Sequence, residues 1–286
     1  MSSSIDWEHT IAFMGVEGAN ADLACRQNYP YLTTVPLNSF EDVFKAVSEG
    51  RAKYAMIPIE NSQAGRVAEI HNLLPRTNLH IVAEHIQKVE HHLYGVPGAS
   101  LDQVTDVYSH HQGLLQCRSF ITEHQFTTHI HDNTATAARD VAAWKDSGKA
   151  AICSALAGEL YQLERLAEAI QDAEDNETLF VVLAKEPVDL EPEDGAALTS
   201  IFFTVRNIPA ALYKALGGFA TNGVNMLKLE SYIRSGVSNS AQFFMTFEGH
   251  PRERSVQLAL EELGFFTNKV NLLGVYLADP ARKSGR

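Results

Sequence analysis

KEPVDLEPEDGA, residues 185–196, interrupts an otherwise regular sequence. Two prolines, one glycine and five acidic residues fall within these twelve positions. Neither a helix nor a strand pattern survives that composition, so the stretch reads as an exposed linker. The segments on its two sides are then read as separate units.

On the N-terminal side, short apolar runs alternate with amphipathic stretches. IAFM (11–14), AMIPI (55–59), VTDVY (104–108), AAIC (150–153) and LFVVL (179–183) read as strands. SFEDVFKAVSEG (39–50) reads as a helix capped by Ser39, with Asp42 three residues on and Gly50 as its stop. TATAARDVAAW (134–144) is a second helix, with Asp132 or Asn133 as cap. Such alternation predicts an α/β domain with a largely parallel sheet.

On the C-terminal side the pattern changes. ALTSIFFTV (197–205), residues 224–233, residues 240–250 and NKVNLLGVYL (268–277) read as strands. Residues 208–223, capped by Asn207 and stopped by Gly223, and residues 252–264 read as helices. The order is βαββαβ, the ferredoxin-like arrangement with helices on one face of an antiparallel sheet. The expected boundaries are a first domain over 8–184, the linker over 185–196 and a second domain over 197–280.

Composition narrows the function classes. The 286 residues are 45% hydrophobic, enough for a sizeable core. No apolar run is long enough to suggest a membrane span, and the polar, acidic Met1 to Thr10 does not read as a signal peptide. Three scattered cysteines, Cys25, Cys117 and Cys153, suggest free thiols in a reducing cytoplasm. A net charge of −12 argues against nucleic acid and anionic membranes as partners. It also means that an anionic substrate needs a local positive site.

Two stretches hold candidate chemistry. In MIPIENSQAGRVAEIHNLL (56–74) a strand runs into Glu60-Asn61-Ser62, and a helix is expected to start between Gln63 and Arg66. Polar residues at the carboxyl end of such a strand sit where open α/β sheets bind ligands, but this stretch alone favours Asn61 or Ser62 as a cap of the following helix. In YSHHQGLLQC (108–117), Ser109 and Gln112 have capping-box spacing, and Gln116 shares a helix face with Gln112. GVEGANAD (15–22) follows the first strand, where its N–H groups could receive an anion. His129 and His131 would share one face of a strand, but no third ligand accompanies them, so no metal is expected.

Taken in order, GVEGANAD, IPIENSQAG, SHHQGLLQC, the NTATAA helix start, YQLERLAEAIQDAEDNETLF and PAALYKALGGFATNGVNMLKLES resemble prephenate dehydratase with a C-terminal ACT domain. The resemblance runs from about Ile11 to Pro280. It implies a two-lobed catalytic domain shaped like a periplasmic binding protein, with the site in the cleft. The implied reaction converts prephenate to phenylpyruvate with loss of carbon dioxide and the ring hydroxyl. L-arogenate is the alternative substrate, and a non-catalytic amino-acid sensor is the alternative function. No cofactor is implied.

By the same resemblance Thr178 is the hydrogen-bond donor to the departing hydroxyl. Asn61, Ser109 and Gln116 orient the substrate, Ser62 contributes to its binding and Phe180 walls the ring. The ACT segment implies L-phenylalanine binding by Ala210, Ala211, Leu212, Asn225, Glu230 and Ser231, in a homodimer or larger homo-oligomer. One departure matters. NETLF (176–180) has Leu179 where the family has an arginine. Losing one partner of a buried charge pair costs about 3–5 kcal/mol, or roughly two to four orders of magnitude in binding. Strand alternation would turn Leu179 away from Thr178 and Phe180, and Arg66 could act as a substitute carboxylate anchor. Arg66 is otherwise an exposed helix arginine.

Overall fold

The computed structural model describes residues 7–232 and 241–282. Ile233 and Ser240, expected at the ends of two strands, lie outside the described residues, as do residues 1–6. The first lobe is built on a sheet of order β2 (Thr33–Leu37), β1 (Thr10–Met14), β3 (Tyr54–Asn61), β11 (Glu177–Ala184) and β5 (His80–Lys88). A short β4 (Gly65–Arg66) folds back on β3. Helices α1 (Asn20–Asn28), α2 (Phe40–Ser48) and α3 (Ala68–Leu73) belong to this lobe.

The second lobe has a sheet of order β10 (Glu164–Ala167), β6 (His92–Gly95), β9 (Lys149–Cys153), β7 (Asp106–His110) and β8 (Thr127–His131). Its helices are α4 (His111–Gln116), α5 (Arg118–Glu123), α6 (Thr134–Trp144) and α7 (Ala155–Leu160). The chain passes from the first lobe to the second after β5 and returns with β11.

That return corrects the expectation of a largely parallel sheet. β1 pairs in parallel with β2 and β3, but β11 is antiparallel to both β3 and β5. A strand entering from the second lobe meets the sheet from its far end and so runs against its neighbours. β11 is central, and both its faces are covered. Val181 and Leu183 join one apolar cluster, Phe180 and Val182 another. This is why LFVVL is a continuous apolar run.

Local signals in the sequence act as their chemistry requires. Ser39 accepts from the backbone N–H of Asp42, and Gly50 follows α2 at φ +74°. Asn133, rather than Asp132, caps α6 by accepting from Ala135. The helix expected to start between Gln63 and Arg66 does not do so. Residues there turn back as β4, and α3 begins at Ala68.

The C-terminal unit contains β12 (Ala197–Val205), α8 (Ala211–Thr221), β13 (Met226–Tyr232), β14 (Gln242–Glu248), α9 (Arg254–Phe266) and β15 (Thr267–Leu277). Its antiparallel sheet has order β13-β14-β12-β15. α8 starts later than expected, after Ala210 at φ +58° rather than from Asn207. One face of the sheet packs on α8 and α9. The other meets the first lobe, where Leu198, Phe202, Phe244, Leu273 and Tyr276 share a core with Ile57, Ile59, Ile81 and Val181. At Gly274 a Cβ would stand 2.0 Å from the Ile81 carbonyl oxygen, so this approach requires glycine. The linker is tied down: Arg252 donates to the Leu190 carbonyl at 2.6 Å and pairs with Glu191 at 2.8 Å. Among the described residues no helix is long and apolar enough to cross a membrane.

Candidate active site

A cleft of about 530 Å³ opens between the lobes, lined by the ends of β3 and β11 and by the starts of α1, α4 and α6. Asn61, Arg66, Gln116, Thr178 and Phe180 all line it. Thr178 faces Asn61 across the β3–β11 pair, and a register shift follows between Leu179 and Phe180. This bulge, with Ile59 of β3 as its extra residue, still leaves Thr178 and Phe180 in the cleft.

Hydrogen bonds fix the orientation of the polar groups, starting from the backbone. Asn61 Oδ1 accepts the N–H groups of Gln63 at 3.1 Å and Ala64 at 2.8 Å. Its Nδ2 therefore points the other way, donating to Thr178 Oγ1 at 2.9 Å, Asn176 Oδ1 at 2.9 Å and the Glu177 carbonyl at 3.1 Å. Asn176, its Oδ1 occupied, donates from Nδ2 to Gln116 Oε1 at 3.1 Å. His91 Nε2 lies 2.7 Å from the same oxygen and must carry the proton. Burial lowers the His91 pKa, offset in part by the Gln116 contact, so the ring is neutral.

Two consequences follow for a ligand. Thr178 Oγ1 is held as an acceptor, so its O–H is left to donate. Gln116 has its carbonyl oxygen fully engaged, so its amide N–H groups are left to donate as well. Thr178 is 9% exposed and Phe180 2%, placing the hydroxyl beside an apolar ring wall. Hydrogen bonds in such a partly dehydrated setting are stronger than in water.

The cleft is also biased toward anions. The N-termini of α1 and α6 open onto it through Asn20 and Thr134, and no side chain caps α1. Each such terminus carries about half a positive charge. Arg66 adds a guanidinium at the rim. Half exposed, it lies 3.6 Å from Glu230 and 5.4 Å above the Tyr232 ring, and its Nη1 donates to the Ser231 carbonyl at 3.4 Å. Its charge is thus shared with the C-terminal sheet. Asp132 is the one acidic side chain among the described residues lining the cleft.

Leu179 does not face this space. It lies with Val181 on the opposite side of β11, against Leu227, Lys228 and Phe244 of the C-terminal sheet. An arginine there would not reach the cleft along the same path as Thr178.

Three expected positions need correction. Ser109 is fully buried and donates to the Ile152 carbonyl at 2.6 Å. It lies beneath Gly113, where a Cβ would stand 2.7 Å from the serine Oγ, and does not line the cleft. Alternation along β7 instead sends His110 to the cleft, and His110 caps α4 by accepting from Gln112 at 3.3 Å. Ser62 ties β3 to the start of β11, donating to the Asp175 carbonyl and accepting from Glu177 N–H, outside the cleft lining. Glu230, expected to hold the polar end of an effector, is committed to Lys228 at 2.6 Å and Tyr232 at 2.6 Å. It faces the first lobe, and attraction to Lys228 and the Tyr232 hydroxyl keeps its pKa below the usual range despite burial.

Sequence reasoning missed His91 and Asn176. Asn176 stands two residues before Thr178, the spacing of a shared strand face, which was a usable signal. His91 carried no spacing signal, because its partner Gln116 is brought to it only by the fold.

Residues 11–188 match the family described as prephenate dehydratase. A relative from Komagataeibacter europaeus, named bifunctional N-acyl-homoserine lactone acylase/prephenate dehydratase, is 45% identical over 276 residues, which is 96% of this chain and 98% of the relative. Arogenate dehydratase/prephenate dehydratase 1, chloroplastic, from Arabidopsis thaliana is 35% identical over 98% of this chain and 75% of its own length. The solved structure of prephenate dehydratase in complex with L-Phe from Arthrobacter aurescens superposes with a TM-score of 0.85 at 28% identity, covering 94% of this chain and 90% of that one. With a matched fold, a matched cleft domain and relatives similar along almost the whole length, the chain belongs to the prephenate dehydratase family.

Proposed function

We propose that the cleft converts prephenate to phenylpyruvate. The observation that carries this reading is the chain of hydrogen bonds from backbone to Asn61 to Thr178. It leaves one hydroxyl proton pointing at the ligand space while its oxygen is held. In the reaction the C–C bond to the ring carboxylate breaks, and its electron pair enters the ring as the C–O bond to the ring hydroxyl breaks. Carbon dioxide leaves, and the oxygen departs as hydroxide that takes up a proton to become water. Thr178 stabilises charge growing on that oxygen by donating a hydrogen bond. A threonine hydroxyl is too weak an acid to give up its proton outright at neutral pH. Gln116 N–H groups, Arg66 and the two helix termini hold the carboxylates, and Phe180 flanks the ring.

L-Arogenate carries an ammonium where prephenate has a keto oxygen, and Asp132 is the acid available in the cleft to meet it. The C-terminal unit we assign as an ACT domain binding L-phenylalanine, through Ala210, Ala211, Leu212, Asn225 and Ser231. The strand and helix order of that unit supports this, as does the L-Phe complex of the Arthrobacter relative.

The Komagataeibacter relative brings a second reading, hydrolysis of N-acyl-homoserine lactones. The local chemistry favours it less. Hydrolysis by an enzyme nucleophile needs an adjacent base. Among the described residues Thr178 has only the Asn61 amide as side-chain partner, and burial pushes the Cys117 thiol up to about 12. One assay separates the readings. Purified protein is given prephenate, arogenate or an N-acyl-homoserine lactone, and phenylpyruvate, phenylalanine or homoserine lactone is scored. Turnover of prephenate that Thr178→Val abolishes supports the proposal; no turnover of prephenate overturns it.

A further inference from the structure

His71 poses a problem that the catalytic cleft does not solve. It is buried where α3 meets the C-terminal sheet, its side chain is fully enclosed, and neither ring nitrogen has a hydrogen-bond partner. Glu230 is the nearest acid, at 3.8 Å from Nε2, beyond hydrogen-bonding distance. The ring stacks on Tyr232 at 4.7 Å and meets Phe244 edge-on at 5.2 Å. Buried polar groups without partners are rare, and each one calls for an explanation.

The pairing register points to one. Tyr232 lies opposite Gln242, Gln242 opposite Thr204, and Thr204 opposite Lys269. These four residues form one row across the whole C-terminal sheet, with side chains on a common face. The face is the one turned to the first lobe. Rows nearer its centre carry Phe202 and Phe244, which are buried in the core shared with the first lobe. At the polar row the two layers part, leaving a partly open cavity of about 250 Å³ that His71 also lines. Arg76 and Lys269 stand at its edge, and among the described residues neither makes an ion pair. No acidic side chain is among the described residues lining it. In a chain of net charge −12, two unpaired cations beside an acid-free cavity mark a place for an anion.

We propose that this interdomain cavity is a second ligand site, separate from the cleft, for a compact organic carboxylate. Arg76 offers the planar fork that matches a carboxylate, Lys269 a second cation, and a His71 ring N–H the buried donor. Gln242 and Thr204 supply neutral hydrogen-bonding groups, and the Phe202 and Tyr232 rings border the organic body. A phosphate or sulfate would use the cations but not the aromatic wall. An occupant would touch α3 of the first lobe and all four strands of the C-terminal sheet at once. It would therefore hold the two units together next to the Tyr232–Arg66 contact at the cleft rim.

The test uses the full chain, titrated with malonate, phenylpyruvate and sulfate at constant ionic strength. Thermal shift and calorimetry are read together with the ¹⁵N resonances of the histidine rings. The expected result is saturable binding of at least one carboxylate, with His71 ring shifts that follow the same isotherm. Arg76→Ala combined with Lys269→Ala weakens that binding about tenfold or more. Both side chains are exposed, so the fold is kept. Thr178→Val, which alters only the cleft, leaves the affinity unchanged. The proposal is overturned if no carboxylate binds saturably, if the double variant binds as the wild type does, or if Thr178→Val removes the signal. Equal binding of sulfate would overturn the assignment to carboxylates.

Discussion

Replacing Asn61 with aspartate changes one atom that the proposed chemistry depends on and little else. The two backbone N–H groups held by Oδ1, from Gln63 and Ala64, keep their acceptor. The Nδ2 donor, 2.9 Å from both Thr178 Oγ1 and Asn176 Oδ1, becomes a carboxylate oxygen facing two acceptors. The Thr178 hydroxyl then turns its proton toward that oxygen and is no longer available to the leaving group. Removing a preorganised donor of this kind costs roughly 10²–10³ in kcat, about 2.7–4 kcal/mol. The added negative charge also opposes binding of a dianion, so KM rises. Thr178→Val removes the same proton by another route. The double variant should therefore be about as slow as the slower single one, since residues acting as a unit are not additive. The assay is steady-state formation of phenylpyruvate from prephenate, with thermal unfolding to show that the fold is retained. A kcat within about threefold of wild type for a folded Asn61→Asp protein would refute the orientation argument.

Four further outcomes follow from particular contacts. Leu179→Arg should bring no gain in kcat/KM and destabilise the protein by about 0.5–3 kcal/mol in thermal unfolding, because the new guanidinium would enter the buried side of β11, where Glu60 and Glu84 are already paired with Lys228 and Arg282. Arg66→Ala should raise KM for prephenate about tenfold with a smaller change in kcat, as expected of a rim anchor; an unchanged KM would remove it from the site. Gly274→Ala should destabilise by about 1–3 kcal/mol or more, since the obstruction at 2.0 Å is the Ile81 backbone, which cannot swing aside. Burial lowers the His71 pKa from 6.5 to about 4, so between those values the unfolded chain binds a proton that the folded chain refuses. Stability should fall as pH drops from about 6.5 toward 4, and His71→Phe should flatten that slope in denaturant titrations, beyond what the other histidines contribute.

Much of this architecture was legible because its signals are local. Ser39 and Gly50 bound α2, Asn133 caps α6, and the apolar run 179–183 forms a buried strand, each for reasons contained in a few neighbouring residues. The direction of β11 was not legible, because it depends on where the chain stands when it returns from the second lobe. The site divides in the same way. Thr178, Asn61, Gln116 and Phe180 sit at element ends that open onto the cleft. Ser109 carried the same kind of polar signal, yet one step of strand alternation buries it under Gly113 and exposes His110 instead. Glu230 looked available in a list of polar residues, but the layer that consumes its charge is contributed by Lys228, Tyr232 and the first lobe. Leu179 looked like a missing contact, but alternation along the strand already turned it away from Thr178, and the structure places it there.

The position of β11 bears on how the protein is made. Lying between β3 and β5, it fills a gap that stays open from the completion of β5 until residue 177 emerges from the ribosome, so the nascent first lobe exposes two unpaired strand edges while the whole second lobe is made. The eight residues that close the gap also deliver Thr178 and Phe180. Completion of the sheet and arrival of the reacting hydroxyl are thus a single event. A chain truncated before residue 177 should be both aggregation-prone and inert, and complementation by a fragment covering β11 together with the C-terminal unit should restore solubility and turnover together.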